Sequence, residues 1–291
     1  MKIKPSELAD PFTPSRSQQP HSHRLPWILL AFLVILPTSY LLWRELQLHA
    51  AQQLIPECFR HQQCADNPSR LEQLVKTKRT IKLLNLPNAH LENAHLESAH
   101  LPSANLENTH LENAHLENAH LENANLSIAH LENAHLENAH LENVNLSHAH
   151  LEGAHLEGAD LSGAHVSHDH LQGAHLNRAN LQGIQLYHAD FEQTNFEQAN
   201  LSQAYLYQAN FDQSNLSGAN LHGAHLIEAQ NLTPAQIKSA CHWEAAIYRR
   251  VWSSEQSKWV IARTANQQFI NQLKQDQDSD PKKPVDCREW E

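Results

Sequence analysis

Several scarcities narrow the fold class and the partners of this 291-residue chain. It has only seven glycines and one methionine, and aromatic residues make up 6% of it. So few glycines exclude a collagen-like helix and a glycine-rich flexible tract. Basic side chains are rare in residues 85–230, where 14 Glu and 4 Asp stand against Arg178 alone, a net charge of −17. A segment this acidic repels phosphates, so we expect no nucleic-acid partner and favour a basic protein surface.

Motifs for catalysis and nucleotide binding are also missing. The sequence contains no nucleophile elbow, P-loop, dinucleotide fingerprint or HExxH motif. Glutamates are plentiful, but they recur in identical surroundings, as at Glu112, Glu117, Glu132 and Glu137. A catalytic acid needs one distinct, desolvated environment. We therefore predict that the protein is not an enzyme and uses no cofactor.

A five-residue repeat runs without a skip from Leu86 to Leu226. Every fifth residue is Leu, Phe or Val, and a small residue, nearly always Ala, stands two positions earlier. In an α-helix these leucines would spiral around all sides, and in a flat strand they would alternate between faces. Ala and Leu can share one interior only if the chain turns at every repeat. We take the following as representative core residues: Leu111, Leu116, Leu131, Leu136, Leu151, Phe191, Phe196 and Phe211.

A longer period of twenty residues is superimposed on the repeat. Asn105, Asn125 and Asn145 replace His at this interval, and Ser127 and Ser147 replace Glu in the same step. Twenty residues make four repeats, so one coil is predicted to have four sides. Successive coils would stack at the usual inter-strand spacing of about 4.8 Å.

Several repeats carry the motif Ala-Asn-Leu, as at 104–106, 179–181, 199–201 and 219–221. This pattern resembles the pentapeptide-repeat family. The resemblance implies a mainly β fold, a right-handed four-sided β-helix with a narrow core of stacked leucine or phenylalanine. It also implies pairing of two copies through a C-terminal helical cap, and some members are acidic rods that mimic DNA and bind topoisomerases. This chain departs from the family in one respect, because His replaces the usual Asn or Asp before most leucines.

The segment before the repeats predicts a membrane anchor. Residues 1–24 form a basic, disordered tail, and residues 25–43 are uncharged and just long enough to cross a bilayer as a helix. A cleavable signal peptide and a buried core helix are the alternatives. Residues 44–84 are expected to form a helical stalk that caps the first coil. Because the basic tail precedes the span, we predict a single-pass protein of the bacterial inner membrane with a periplasmic repeat domain, residues 85–230.

The segment after the repeats predicts a helical cap over residues 231–275 and a polar tail over 276–291. The sequence Thr-Pro-Ala-Gln at 233–236 is a helix start, with Thr as the N-cap, and this helix is expected to run to about Tyr248. A second helix is expected from Ser254 to Lys274.

The four cysteines bear on the compartment. In an exported domain they would form two disulfides, Cys58 with Cys64 and Cys241 with Cys287. Free thiols in a cytoplasmic domain are the alternative.

Histidine is the distinctive residue of the repeats, since fifteen histidines directly precede a central apolar residue. At twenty-residue spacing they would form ladders with a broad titration between about pH 5 and 7. Three interpretations stay open: a tolerated polar filler, a pH-responsive surface, and a metal site. The best metal cluster predicted from the sequence consists of His148, His150, His168, Asp169, His170 and His188, with Asp190 beside them.

Together these features favour a membrane-anchored, non-catalytic, acidic scaffold for protein interaction. A DNA mimic and a metal- or proton-binding protein are the alternatives, and the sequence names no partner.

A reporter that is active only outside the cytoplasm, fused to the C-terminus, is expected to be active. A reporter active only in the cytoplasm would contradict the predicted orientation.

Overall fold

The structure is a computed structural model that describes residues 84–166, 170–253, 256 and 258–290. All of these belong to one compact unit, Leu54–Glu291. The predicted tail 1–24, the predicted membrane helix 25–43 and the stalk 44–84, except Leu84, lie outside the described residues, and so do Cys58 and Cys64. Within the described ranges, no helix has the length and apolar character that a bilayer crossing requires.

Four repeats form one coil, as the twenty-residue period predicts. Parallel bridges join each residue that precedes a central leucine to its counterpart twenty positions later, as in His95 to His115 and His115 to His135. The N–H of Leu91 donates to the carbonyl of His110 at 2.8 Å, and the N–H of His110 donates to Ala89 at 2.9 Å. The backbone groups on either side of the central leucine are therefore paired with the coils above and below.

A tight turn closes each side of the coil. In the repeat that begins at Leu91, the N–H of Ala94 donates to the Leu91 carbonyl at 3.1 Å, and Asn93 has a φ of 57°. A positive φ at the third of four turn residues is the mark of a type II turn, which favours Asn or Gly there and Pro at the second position. Pro87 and Pro102 occupy that second position. The third position has a positive φ in every described repeat, including the Gly repeats, such as Gly153.

The core is a narrow column of leucine, phenylalanine and alanine. The eight residues that represent it in the sequence are each no more than 1% exposed. The rings of Phe191, Phe196 and Phe211 lie 5.0–6.2 Å apart, so the column widens from leucine to phenylalanine without a break. Where Thr194 takes an alanine position, its hydroxyl donates to the Leu171 carbonyl at 2.6 Å, which satisfies this buried polar group.

Short elements close the C-terminal end of the coil. They are α1 (Pro234–Ser239), a 3-10 helix (Trp243–Ala245), β1 (Arg250–Ser253), β2 (Lys258–Ile261), α2 (Arg263–Gln275) and two further 3-10 helices (Gln277–Ser279 and Arg288–Trp290). Strands β1 and β2 form an antiparallel hairpin in which Arg250 lies opposite Ile261. Ile237 of α1 and Ile270 and Leu273 of α2 are buried in the same core as the repeats.

The predicted start of α1 is confirmed, but its predicted end is wrong. Thr233 and Gln236 form a reciprocal capping box, and the Gln236 amide also donates to the carbonyls of Phe211 and Ser214 at 2.8 and 2.9 Å. The helix ends at Ser239 instead of Tyr248, because the last coil has backbone N–H groups that need acceptors. The carbonyls of Ser239 and Cys241 accept from the following coil residues: Gly218 and Leu221, at 2.8 and 2.9 Å.

The predicted second helix, Ser254–Lys274, is also wrong at its start. Residues 258–261 are strand β2, and α2 begins at Arg263. Aromatic and β-branched residues such as Trp259 and Val260 favour strands, and here they pair with β1 across the hairpin.

The C-terminal tail is fastened to the coil. Cys241 and Cys287 form a disulfide with a Cα–Cα distance of 5.7 Å, and the Trp290 indole donates to the Gly218 carbonyl at 2.9 Å. Buried Lys238 binds Asp280 at 2.6 Å and the carbonyl of Asp276. The tail is polar, as predicted, but its described residues, 276–290, pack on the last coil.

The turn at Ile128 generates a stability prediction. Its φ is 60°, its side chain is 44% exposed, and this backbone conformation costs a β-branched residue about 1–2 kcal/mol. Replacing Ile128 with Asn is expected to raise the free energy of unfolding by about 1 kcal/mol, because Asn tolerates the left-handed region. The reverse change at an equivalent turn, Asn118→Ile, should lower it by a similar amount. Urea denaturation measures both, and two neutral changes would contradict the assigned turn geometry.

Candidate functional site

Three columns of histidine follow the outside of the coil. The first consists of His90, His110, His130, His150 and His170, the second of His95, His115, His135, His155 and His175, and the third of His100, His120 and His140. Their rings stack with centroids 4.4–5.2 Å apart and planes within 14° of parallel. The ladders predicted from the twenty-residue period are therefore present, at the rung spacing of a β-structure.

A glutamate accompanies the histidine in ten of these repeats. The two residues flank an inward-facing leucine, so both side chains lie on the outside, as residues two apart do in a strand. The distance from histidine Nδ1 to glutamate Oε1 is 2.9 Å for His110 and Glu112 and 3.7 Å for His155 and Glu157. In the sequence these glutamates can be recognised from the recurring His-Leu-Glu triplet. The metal cluster predicted from the sequence does not include them.

The histidines affect the ionisation of the glutamates beside them. Partial burial raises the pKa of Glu122, but the hydrogen bond from His120, a backbone hydrogen bond and the positive charge of His120 and His140 outweigh it and lower the pKa below its usual value. The pKa values of Glu92 and Glu97 are lowered in the same way by His90 and His95. At these three positions the neighbouring histidines therefore favour the charged form of the carboxylate.

One oxygen of many of these carboxylates has no donor. Within the described part of the chain, Oε2 is buried without a hydrogen-bond partner in Glu112, Glu117, Glu132, Glu137, Glu142, Glu152 and Glu157. All seven belong to His–Glu pairs. A buried carboxylate oxygen without a donor carries a desolvation cost, which a cation or a partner's N–H group would offset.

The fourth side of the coil has a different surface in its N-terminal half. The amides of Asn105, Asn125 and Asn145 each donate to the asparagine one coil below, at 2.7, 3.2 and 3.1 Å. Ser127 and Ser147 take the positions that Glu occupies on the other sides. The rod therefore carries its carboxylates mainly on neighbouring sides and an uncharged amide ladder on this one.

The structure brings together only part of the metal cluster predicted from the sequence. His150 and His170 stack with centroids 5.2 Å apart. His148 and His188 lie at turn positions with positive φ, two coils apart, and the His188 ring contacts Tyr207 edge-on. His168 and Asp169 lie outside the described residues. This six-residue site stays a prediction, and so does a pH response of the ladders.

The cap has a cleft of its own. It measures about 340 Å³ and is lined by residues that include Leu226, Tyr248, Arg250, Trp259 and Phe269. The Arg250 guanidinium lies 4.9 Å from the ring of Trp259, which is 55% exposed. Burial raises the pKa of Tyr248, and its hydroxyl donates to the Trp243 carbonyl at 2.8 Å. The Arg250 guanidinium also lies 4.4 Å from the ring of Tyr207, so this arrangement packs the hairpin against the coil.

Two substitutions test whether the histidine ladders stabilise the fold or serve only as surface groups. His135→Ala is expected to change the free energy of unfolding by less than about 1 kcal/mol, because its ring is partly solvated. The neighbouring change Leu136→Ala should lower it by about 2–5 kcal/mol, because Leu136 is buried in the core. Thermal or urea denaturation distinguishes the two. Equal losses would mean that the histidine ladder is a structural element.

Comparison with solved structures finds repeat proteins of the same kind. HetL, a pentapeptide repeat protein involved in heterocyst differentiation regulation from the cyanobacterium Nostoc sp. strain PCC 7120, is 27% identical, with 62% of this chain and 96% of HetL covered and a TM-score of 0.32. QnrB1, a plasmid-mediated fluoroquinolone resistance protein, is 16% identical, with 57% and 78% covered and a TM-score of 0.46. No curated protein matches the chain.

Family models match the repeats directly. A pentapeptide repeat region matches residues 84–161 and 109–186, and pentapeptide repeats in eight copies match 170–203, 194–229 and 204–236. These matches together span more than half of the chain, and the fold that they imply is the right-handed four-sided β-helix. The chain therefore belongs to the pentapeptide repeat family.

Proposed function

We propose that this chain is a non-catalytic, membrane-anchored scaffold that binds a basic surface of another protein through the carboxylates of its coil. The observation that carries the proposal is the arrangement of charge. Glu112, Glu132 and Glu152 follow one edge of the coil and Glu117 and Glu137 follow the next, one carboxylate per rung. The edge of the coil opposite Glu117 and Glu137 carries Ser127 and Ser147 beside the amide ladder.

The coil holds these carboxylates in a fixed array. Each rung is joined to the next by backbone hydrogen bonds of 2.7–3.0 Å in this region, as between Leu116 and His135 or Asn118 and Glu137. Carboxylates repeated at about 4.8 Å suit several weak contacts with lysine or arginine side chains, which act together once one of them forms. The identical setting of every glutamate supports docking over catalysis, which needs one distinct acid.

The membrane anchor is the part of this proposal that rests on the sequence. Residues 25–43 are uncharged and the basic tail precedes them. An anchor would hold the rod near one membrane surface and restrict its partners to that compartment. A second copy of this chain, paired through the C-terminal cap, would double the number of docking edges.

A DNA mimic is the second candidate, and the charge density of the rod supports it. A net charge of −17 over residues 85–230, with about 4.8 Å per twenty-residue coil, gives roughly one negative charge per 2 Å of length. Duplex DNA carries about one per 1.7 Å. A DNA mimic must act in the compartment that contains DNA. Activity of a periplasmic reporter fused to the C-terminus would oppose this candidate, and activity of a cytoplasmic reporter would favour it.

Photocrosslinking in intact membranes tests the scaffold proposal. A crosslinking residue at position 137 is expected to capture a partner, and one at position 127, across the coil, is not. The adduct at 137 should disappear when Glu112, Glu117 and Glu132 are changed to Gln, because the docking charge is removed. The matched control changes Asn105 and Asn125 to Ser on the amide side. Equal capture from both positions, or capture that survives the loss of the glutamates, would contradict the proposal.

A further inference from the structure

Two carboxylates in the first and second columns lie between the imidazoles of successive rungs. Glu157 Oε1 is 3.7 Å from Nδ1 of His155 and 3.7 Å from Nδ1 of His175. In the neighbouring column, Glu152 Oε1 is 3.5 Å from Nδ1 of His150 and 3.9 Å from Nδ1 of His170. Each carboxylate therefore faces two nitrogen atoms, one on its own rung and one on the next.

These separations suit ligands of one ion better than a direct hydrogen bond. Two ligand atoms held about 2.1 Å from a tetrahedral Zn²⁺ lie about 3.4 Å apart. The separations of 3.5–3.9 Å at Glu152 and Glu157 are close to that value, whereas His90 and Glu92 at the start of the column are 2.9 Å apart. The side chains of His170 and His175 are 51% and 46% exposed, so their rings have room to rotate toward an ion.

A second observation concerns the other carboxylate oxygen. Oε2 of Glu152 and Oε2 of Glu157 are buried and accept no hydrogen bond from any residue that the structure describes. A cation bound to the carboxylate would offset that desolvation. Imidazole nitrogen with carboxylate oxygen is a donor set that suits Zn²⁺, Ni²⁺ and Cu²⁺, with the neutral imidazole as ligand.

We propose that His150, Glu152 and His170 form one site for a divalent transition-metal ion and that His155, Glu157 and His175 form a second. Each site has two nitrogens and one carboxylate, and a remaining position for water. The same combination recurs on earlier rungs, where the donor atoms of His110, Glu112 and His130 lie within 4.8 Å of one another. On those rungs the glutamate pairs with its own histidine, at 2.9 Å for Glu112 and 3.4 Å for Glu132. At Glu152 and Glu157 the histidine of the next rung also lies 3.9 and 3.7 Å from the same oxygen, which favours these two rungs.

This inference goes beyond the scaffold proposal and depends on different groups. Docking needs the negative charge of many glutamates, whereas the metal sites need four imidazoles and two carboxylates. The metal sites also differ from the cluster predicted from the sequence, with which they share only His150 and His170.

Zinc titration by calorimetry, on the full-length chain freed of metal with a chelator, tests the sites. The wild-type chain is expected to bind Zn²⁺ in a tight class of more than one ion. Glu152→Gln with Glu157→Gln keeps every histidine and should weaken that class roughly tenfold or more, since even indirect partners of metal ligands contribute about 10- to 100-fold. The matched control is Glu192→Gln with Glu197→Gln. These glutamates lie on the same two edges two coils later and follow Asp190 and Asn195 instead of histidine.

The two pairs of changes remove the same amount of negative charge. Comparing them therefore distinguishes a specific Zn²⁺ site from general electrostatic attraction of Zn²⁺ to the acidic surface. Tight binding that is lost only in the Glu152/Glu157 variant supports the proposal. Absence of tight binding, equal binding by all three proteins, or equal loss in both variants overturns it. Visible absorption of Co²⁺ bound to the wild-type chain gives a second reading, because four-coordinate Co²⁺ absorbs strongly. A weak, six-coordinate spectrum would also overturn it.

Discussion

The structure depends on burying a thin column of leucine and alanine while the backbone groups beside that column stay hydrogen-bonded. The turn in each five-residue repeat makes this possible, because it changes the direction of the backbone so that the next central apolar side chain again points into the core. The carbonyl that follows each corner is then met by an N–H of the preceding coil, as with His110 and Leu91. Neither a helix nor a flat sheet satisfies both conditions with this sequence.

That constraint also decides the surface. A residue at one position of the repeat lies directly above its counterpart twenty residues earlier, so a single choice of side chain becomes a column. Histidine becomes a stack of imidazoles, asparagine becomes an amide ladder, and the Glu two residues after most of these histidines becomes a line of carboxylates. The chemistry of the rod is therefore that of a repeated pair, His with Glu, and not of one pocket.

The columns change where the sequence departs from the repeat. After His170 the first column continues with Asp190 and Asn210, and after His175 the second continues with Asn195 and Asn215. In the same region the core takes up Phe191, Phe196 and Phe211. The His–Glu pairs thus occupy the N-terminal half of the coil, away from the cap, and the last two of them hold the carboxylates that face two imidazoles.

The sequence was sufficient for the coil and insufficient for its ends. The period of five fixed the inward and outward positions, and the period of twenty fixed the stacking of His95 on His115, since both follow from side-chain direction alone. The short helix α1 and the hairpin β1–β2 could not be predicted in this way. Ser239 leaves the helix to pair with the last coil, and Trp259 joins a strand, and both depend on contacts distant in sequence. The distances around Glu152 and Glu157 also needed coordinates, because every His-Leu-Glu triplet looks alike in the sequence.

A duplication experiment tests the four-sided coil most directly. A second copy of residues 116–135 adds one full coil, so every inward leucine and every column stays in register, and the melting temperature is predicted to stay the same or rise. A duplication of about 18 residues from the same place, which is five turns of an α-helix, puts the repeat out of register and is predicted to lower it sharply. A chain that tolerates the second duplication and unfolds with the first would contradict the four-sided coil.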